Sequence, residues 1–157
     1  MRVTKKAKTM RAARGFSLVE ILVVLVIIGL LVSIVAPNVL QRADEARVQK
    51  VRADFKNIET ALKLYKLDNF NYPTTEQGLA ALVDKPTMEP VPRNWKQGGY
   101  LESVPADPWG NPYKYLSPPE FGRGDYDIYT LGADGISGGE EQNADLGNWQ
   151  TEQKEQQ

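Results

Sequence analysis

The sequence contains no cysteine and no histidine. Without cysteine there is no disulfide to brace a small fold and no thiol nucleophile. Without histidine there is no imidazole base and no ordinary zinc site. Proline is missing from most of the chain, because every proline except Pro37 falls between Pro73 and Pro119. Acid is missing from the start, where Arg2, Lys5, Lys6, Lys8, Arg11 and Arg14 stand with no carboxylate among them. Those six account for part of the 19 basic side chains and leave 13 against 20 acidic ones in the rest. A body that acidic argues against nucleic acid as a partner, since phosphate binding depends on a basic surface. The 157 residues allow one modest soluble domain beside any membrane segment.

What is present begins with ILVVLVIIGLLVSIVA, Ile21 to Ala36, behind the short stretch RGFSLVE. From Phe16 to Pro37 a helix is about 33 Å long at 1.5 Å per residue, close to the roughly 30 Å of bilayer hydrocarbon. Ser33-Ile34-Val35-Ala36-Pro37 makes a poor secretory cleavage site, so a membrane anchor is favoured over a signal core. The basic leader keeps its own end in the cytoplasm and sends the C-terminal body outward. Glu20 is then out of place, because a carboxylate in a bilayer needs the headgroup level or a partner. One reading sets it in the first turn, where its charge suits the helix dipole. Another has it await a cation from a second molecule.

A basic leader, Gly15, Phe16-Ser17-Leu18-Val19-Glu20 and an unbroken apolar helix together resemble the class III signal of type IV pilins and type II secretion pseudopilins. The resemblance implies that a prepilin peptidase cuts between Gly15 and Phe16 and that the new Phe16 amine is N-methylated. It further implies a homopolymer, in which that amine neutralises Glu20 of a neighbouring copy. Minor pseudopilins, the inner-membrane assembly platform and membrane lipid are the other partners it implies. The location implied is the inner membrane, crossed once, with the C-terminal domain in the periplasm and assembly into a periplasmic pseudopilus.

Beyond Pro37, Val48, Val51, Phe55, Ile58, Leu62 and Tyr65 recur at intervals of three and four, an apolar stripe among charges. This predicts a helix half covered by its own domain, with Val39, Leu40 and Ala43 facing neighbours. Gly29 and Pro37 mark its weakest stretch, expected to bend or melt first. After Leu67, Thr74 and Gln77 fit a capping box that opens a short helix with Leu79, Leu82 and Val83 inward. Lys85 to Leu101 reads as an ordered loop. Tyr113 to Leu116 and Tyr126 to Leu131 read as strands, parted by the turn-rich SPPEFGRGD. The turns of DPWGNPYKY place Trp109 and Tyr113 on the helix.

The expected fold is α+β and type IV pilin-like: a long N-terminal helix, half transmembrane and half amphipathic, packed on a small antiparallel sheet with ordered loops. The expected divisions are a leader at 1–15, a polymerisation helix at 16–37, its amphipathic continuation at 38–68, a periplasmic domain at 69–151 and a disordered polar tail at 152–157. DPWGNPYKY, YPTTEQGLAAL, GADG and ADLGNW are also similar to the major pseudopilins of type II secretion, so the resemblance touches nearly the whole chain.

LGADGISGGEEQNAD, Leu131 to Asp145, is the one stretch that looks like site chemistry. Hard cations such as calcium take six to eight oxygens, mixing carboxylates with carbonyls. Asp134, Glu141 and Asp145 offer carboxylates, Asn143 an amide oxygen, and Leu131, Ile136 and Gly139 their carbonyls. The spacing does not follow the EF-hand, and a solvated acidic loop explains the same residues. The resemblance implies one structural Ca2+, with Asp134 and Asp145 as the matching aspartates and the pair Glu140-Glu141 as the departure.

The favoured function is a structural, non-enzymatic subunit of a pseudopilus that drives export of folded proteins across the outer membrane. A type IV pilin for adhesion, motility or DNA uptake is the alternative, against which the missing cysteines and the acidic loop count. A hydrolase using Asp125 and Asp127, or Glu140 and Glu141, lacks a nucleophile with a base. A calcium-dependent periplasmic protein that never assembles is the fourth reading. Glu20→Ala is expected to leave cleavage and export intact and to abolish assembly, scored by electron microscopy of sheared fibres; normal fibres would reject the charge pairing.

Overall fold

The computed structural model describes residues 15–152; the expected leader before Gly15, the tail at 153–157 and the side chains of 34–41, 151 and 152 lie outside the described residues. The chain divides into two compact units, 1–41 and 42–157, and each is taken by itself.

Helix α1, Leu18–Asn69, opens with the Ile21 N–H on the Ser17 carbonyl at 3.2 Å and carries Glu20 in its first turn. It runs through Gly29 and Pro37 without a break, because one missing N–H and one flexible residue do not end a helix of 52 residues. From Leu18 to Val32 its side chains are apolar on every side apart from Glu20 and Gly29. In the second unit it is amphipathic, as its spacing predicts: Val51, Phe55, Ile58, Leu62 and Tyr65 are buried, while Val48 is half-buried. Each such side chain removed from water is worth roughly 1.5–3 kcal/mol.

The facing surface is a three-stranded antiparallel sheet in the order β1, β2, β3, made of Lys114–Leu116, Asp127–Thr130 and Leu146–Gly147. Tyr115 pairs with Ile128, and both point inward. Tyr129 and Thr130 of β2 pair with Gly147 and Leu146 of β3. The third strand is absent from the sequence reading, since two residues give alternation nothing to show. Tyr113 lies edge-on to Phe55 with ring centroids 5.4 Å apart, and its hydroxyl donates to Asp54 at 2.7 Å. Trp109 packs against the same core, so the DPWGNPYKY turns do what their composition predicts.

Between helix and sheet the chain is held by side chains more than by ladders. Thr74 and Gln77 close the predicted capping box in both directions, each accepting the other's backbone N–H at 3.2 Å. The expected short helix is a run of turns followed by a 3-10 helix at Leu79–Leu82; Gly78, at φ +60, stops α geometry from continuing. Leu79 and Leu82 are buried and Val83 is half-buried.

Asp127 is fully buried and accepts three backbone N–H groups, from Glu120, Phe121 and Gly122 at 2.6, 2.6 and 3.0 Å, closing the SPPEFGRGD turn. Asp107 is also buried and takes the N–H groups of Trp109 and Asn111 on one oxygen and the Thr130 hydroxyl on the other. Trp149, in the four-residue helix α2 at Trp149–Glu152, lies across Gly147, where a β-carbon would sit 2.2 Å from the indole.

Burial pushes the phenols of Tyr113, Tyr115 and Tyr126 well above their ordinary value of 10.0; the Asp54 carboxylate adds to the shift of Tyr113, and Glu59 to that of Tyr126. The unfolded chain releases these protons near pH 10 while the fold keeps them, so stability is whole below that pH and falls above it. The thermal midpoint is expected to hold up to about pH 9 and to drop between about pH 10 and pH 12, a window set by the tyrosine reference. A flat midpoint across that window contradicts the burial argument.

Candidate functional site

Among the described residues, two features carry groups left uncovered or unpaired: apolar side chains at one, a buried carboxylate oxygen at the other. The first is the start of α1. Phe16 is 79% exposed and Leu18 80%, and the apolar side chains from Val19 to Val32 are exposed as well, on every side of the helix. A helix that is apolar all round is stable only when lipid or other helices surround it. Its two polar groups are placed accordingly. Ser33 donates its hydroxyl to the Leu30 carbonyl at 2.7 Å, so the donor is satisfied within the helix. Glu20 occupies the first turn, where the helix dipole favours an anion, and is exposed.

Gly15 and Phe16 lie just ahead of the helix, outside any regular element, and among the described residues nothing approaches within 4 Å of where a Gly15 side chain would be. Among the described residues no helix is long and apolar enough to cross a membrane. The apolar stretch whose side chains are described, Leu18 to Ser33, measures about 24 Å at 1.5 Å per residue. The surroundings of Val39 and Leu40, expected to face neighbours, lie outside the described residues; Ala43 is exposed.

The second feature is the loop between β2 and β3. It folds back on itself through the Ala133 N–H on the Gln142 carbonyl at 2.9 Å and a 3-10 turn at Glu141–Asn143. Gly139, at φ +92, passes so close to Asn143 that a β-carbon would sit 2.6 Å from its carbonyl oxygen. Asp145 stands at the end. One of its oxygens, Oδ2, accepts the Gly138 N–H at 2.9 Å and the Ser137 hydroxyl at 3.3 Å. The other, Oδ1, is buried with no partner.

Asp134 uses its Oδ1 to accept the Ile136 N–H at 3.1 Å. Leu131 is half-buried; Ile136 is exposed; Glu141 is exposed and left-handed, at φ +54. Among the described residues, no group of three or more histidine, cysteine, aspartate or glutamate side chains is placed to hold a metal. Asp134, Glu141 and Asp145 therefore do not form one carboxylate cluster, and a cation here would draw mostly on carbonyls. The orphaned Asp145 oxygen fits such a group: buried acceptors without a donor are rare and costly, and a hard cation satisfies one directly.

Of the carboxylates suggested for hydrolysis, Glu140 and Glu141 are both exposed, and the other pair is already engaged. Asp125 is exposed and ion-paired to Lys66 at 3.0 Å, while Asp127 is consumed by three N–H groups. Sequence reasoning missed the tie from loop to helix, in which Gln142 donates to Asp44 at 3.3 Å. Those residues are 98 apart along the chain, and no local pattern announces such a pair. It also missed the Asn111 amide, which donates to the Gly132 carbonyl at 3.0 Å and steadies the loop's entrance.

Comparison with known proteins adds three findings. Residues 38–149 match the family model "Type II secretion system (T2SS), protein G", and residues 10–36 match the prokaryotic N-terminal methylation motif. The type II secretion system core protein G of Pseudomonas aeruginosa is 54% identical over 88% of this chain and 96% of its own length. That of Vibrio cholerae is 54% identical over 90% and 95%. The crystal structure of the major pseudopilin from the type 2 secretion system of enterohaemorrhagic Escherichia coli superimposes with a TM-score of 0.64 at 47% identity, over 73% of this chain and 96% of that one.

Saturating calcium at the loop, at about a hundred times its dissociation constant, would add about 2.7 kcal/mol of stability. Chelation of the detergent-solubilised protein should then lower its thermal midpoint by roughly 10 °C. Asp145→Asn should abolish that response, and magnesium should restore it poorly. A melting curve indifferent to chelator would remove the site.

Proposed function

The chain belongs to the type II secretion system protein G family, and we propose that its copies, stored singly in the inner membrane, polymerise through α1 into the periplasmic pseudopilus. As a pseudopilin it is a structural subunit and not an enzyme, and it assembles with other components of the secretion system. Its place is a membrane-anchored periplasmic pseudopilus. The single observation that carries the reading is the helix of exposed apolar side chains behind Phe16, which one unit cannot cover alone.

The finer reading builds on that helix. Prepilin peptidase cuts between Gly15 and Phe16, and the freed Phe16 amine is N-methylated. The apolar stretch from Phe16 to Pro37 makes a single pass, with the C-terminal domain at 69–151 in the periplasm. Stored in lipid, Glu20 and the Phe16 amine are both short of a partner; packed against another copy, the amine of one meets the carboxylate of the other. Two charges then neutralise each other where neither can reach water. Gly29 and Pro37 give the helix its most easily extended stretch, so copies can adjust against one another as they pack.

One Ca2+ in the 131–145 loop has a structural role. Asp145 supplies a carboxylate oxygen, Asp134 or Glu141 a second, and Leu131, Ile136 and Gly139 their carbonyls. Bound there, the ion holds a glycine-rich loop that no disulfide closes. Minor pseudopilins and the inner-membrane assembly platform are the partners of the growing filament.

The test is to overexpress the full chain with and without an active prepilin peptidase, so that filaments outgrow the periplasm, and to image the cells for fibres. Fibres are expected only with the peptidase, built of subunits whose N-terminal residue is a methylated phenylalanine. Mature protein that begins at any other residue, or fibres that form from the uncut chain, would overturn the reading.

A further inference from the structure

Helix α1 ends at Asn69, and the next residue, Phe70, stands in the left-handed region at φ +67 with its N–H on the Lys66 carbonyl at 2.7 Å. Glycine is the usual occupant of that capping position, because a β-carbon there is strained. Phenylalanine adds a bulky ring to the strain. The ring is 78% exposed, so burial within its own unit offsets little of the cost. A strained residue that presents an exposed aromatic ring points to a use outside the isolated subunit.

The ring borders a cavity of about 450 Å³ walled by Tyr65, Tyr72, Pro90 and Pro92, and Arg93 is the one charged residue in its lining. The cavity is already formed. Gln77 donates to the Met88 and Pro90 carbonyls at 2.9 and 3.1 Å, and Asn94 holds the helix end through Asn69 and the Asp68 carbonyl, both at 3.2 Å.

The same chain carries the complement. Ile136 is 68% exposed, so it does not fill the cavity of its own subunit. It lies among Asp134, Glu140, Glu141 and Asp145, with no basic residue between Leu131 and Asp145. A bound dication would still leave that loop anionic. We propose that the Ile136 loop of one copy docks into the Phe70 cavity of the next, the isoleucine against the aromatic ring and Arg93 against the acidic flank. Glu140, which is outside the metal set, supplies the pairing charge. Socket and plug are different segments, so the contact is heterologous and repeats from copy to copy without closing a dimer, as a filament requires. The inference rests on the reading that copies polymerise.

The test uses the full chain expressed with its peptidase. Phe70→Gly removes strain together with the ring; its thermal midpoint should not fall below that of the wild type, while fibre yield drops at least tenfold. Arg93→Glu should lower the yield as far, and adding Glu140→Lys should restore it. With no native cysteine to interfere, Val91→Cys combined with Ile136→Cys should cross-link neighbouring copies into a ladder under mild oxidant. Wild-type yield from Phe70→Gly, fibres without the ladder, or a cross-link to a different protein would each overturn the docking. If Phe70→Gly lowers the midpoint, the ring is structural and the charge exchange decides: rescue supports the contact, and failed rescue sinks it. If the wild-type chain makes no fibres at all, the assembly reading falls and this inference with it.

Discussion

The stripe from Val51 to Tyr65 joins the globular unit to its helix, and among the described residues no other element in that unit is large enough to replace it. Strands of two to four residues do not form an independent sheet in water; they persist because Tyr115 and Ile128 have the helix to pack against. No disulfide shares the task. The same helix meets the opposite condition near its start, where its apolar side chains from Leu18 to Val32 remain uncovered. One element thus sets two burial problems, one solved within the chain and one left for an environment outside it. A structural subunit needs that asymmetry, because a helix satisfied along its whole length would have no reason to associate.

Loops make up much of the second unit, and carboxylates organise them. Asp127 gathers three backbone donors and Asp107 two with a hydroxyl, so turns with no ladder of their own still satisfy their N–H groups. These are charge-assisted bonds to groups taken out of water, stronger than neutral ones. Asp145 is built on the same plan with one difference, that only one of its oxygens is used by the protein. Two filled carboxylates beside one half-filled make the exception a matter of chemistry.

Much of this was legible in the sequence. The periodicity of Val51, Phe55, Ile58, Leu62 and Tyr65 gave the buried face, and the Thr74 and Gln77 pair gave a capping box, because both are local patterns. Two strands could be read from Tyr113 and Tyr126 onward, although each proved shorter than its alternation suggested. Strand β3 could not, since Leu146 and Gly147 owe their pairing to Tyr129 and Thr130, far back in the chain. Nor could the left-handed Phe70, which occupies a place where sequence rules expect glycine. In the acidic loop the residue types were legible and their arrangement was not: Asp134 turns to its own backbone, and Asp145 keeps a buried oxygen without a protein donor.

The sheet's two margins have a further consequence. On one side β3 is two residues long, and Trp149 lies across Gly147; on the other, β1 is flanked by Pro112, Pro118 and Pro119, which have no N–H to offer. Neither rim presents enough free backbone to template an incoming strand. Amyloid-like or donor-strand growth therefore finds no template there, and side-by-side association is left to helices and loops.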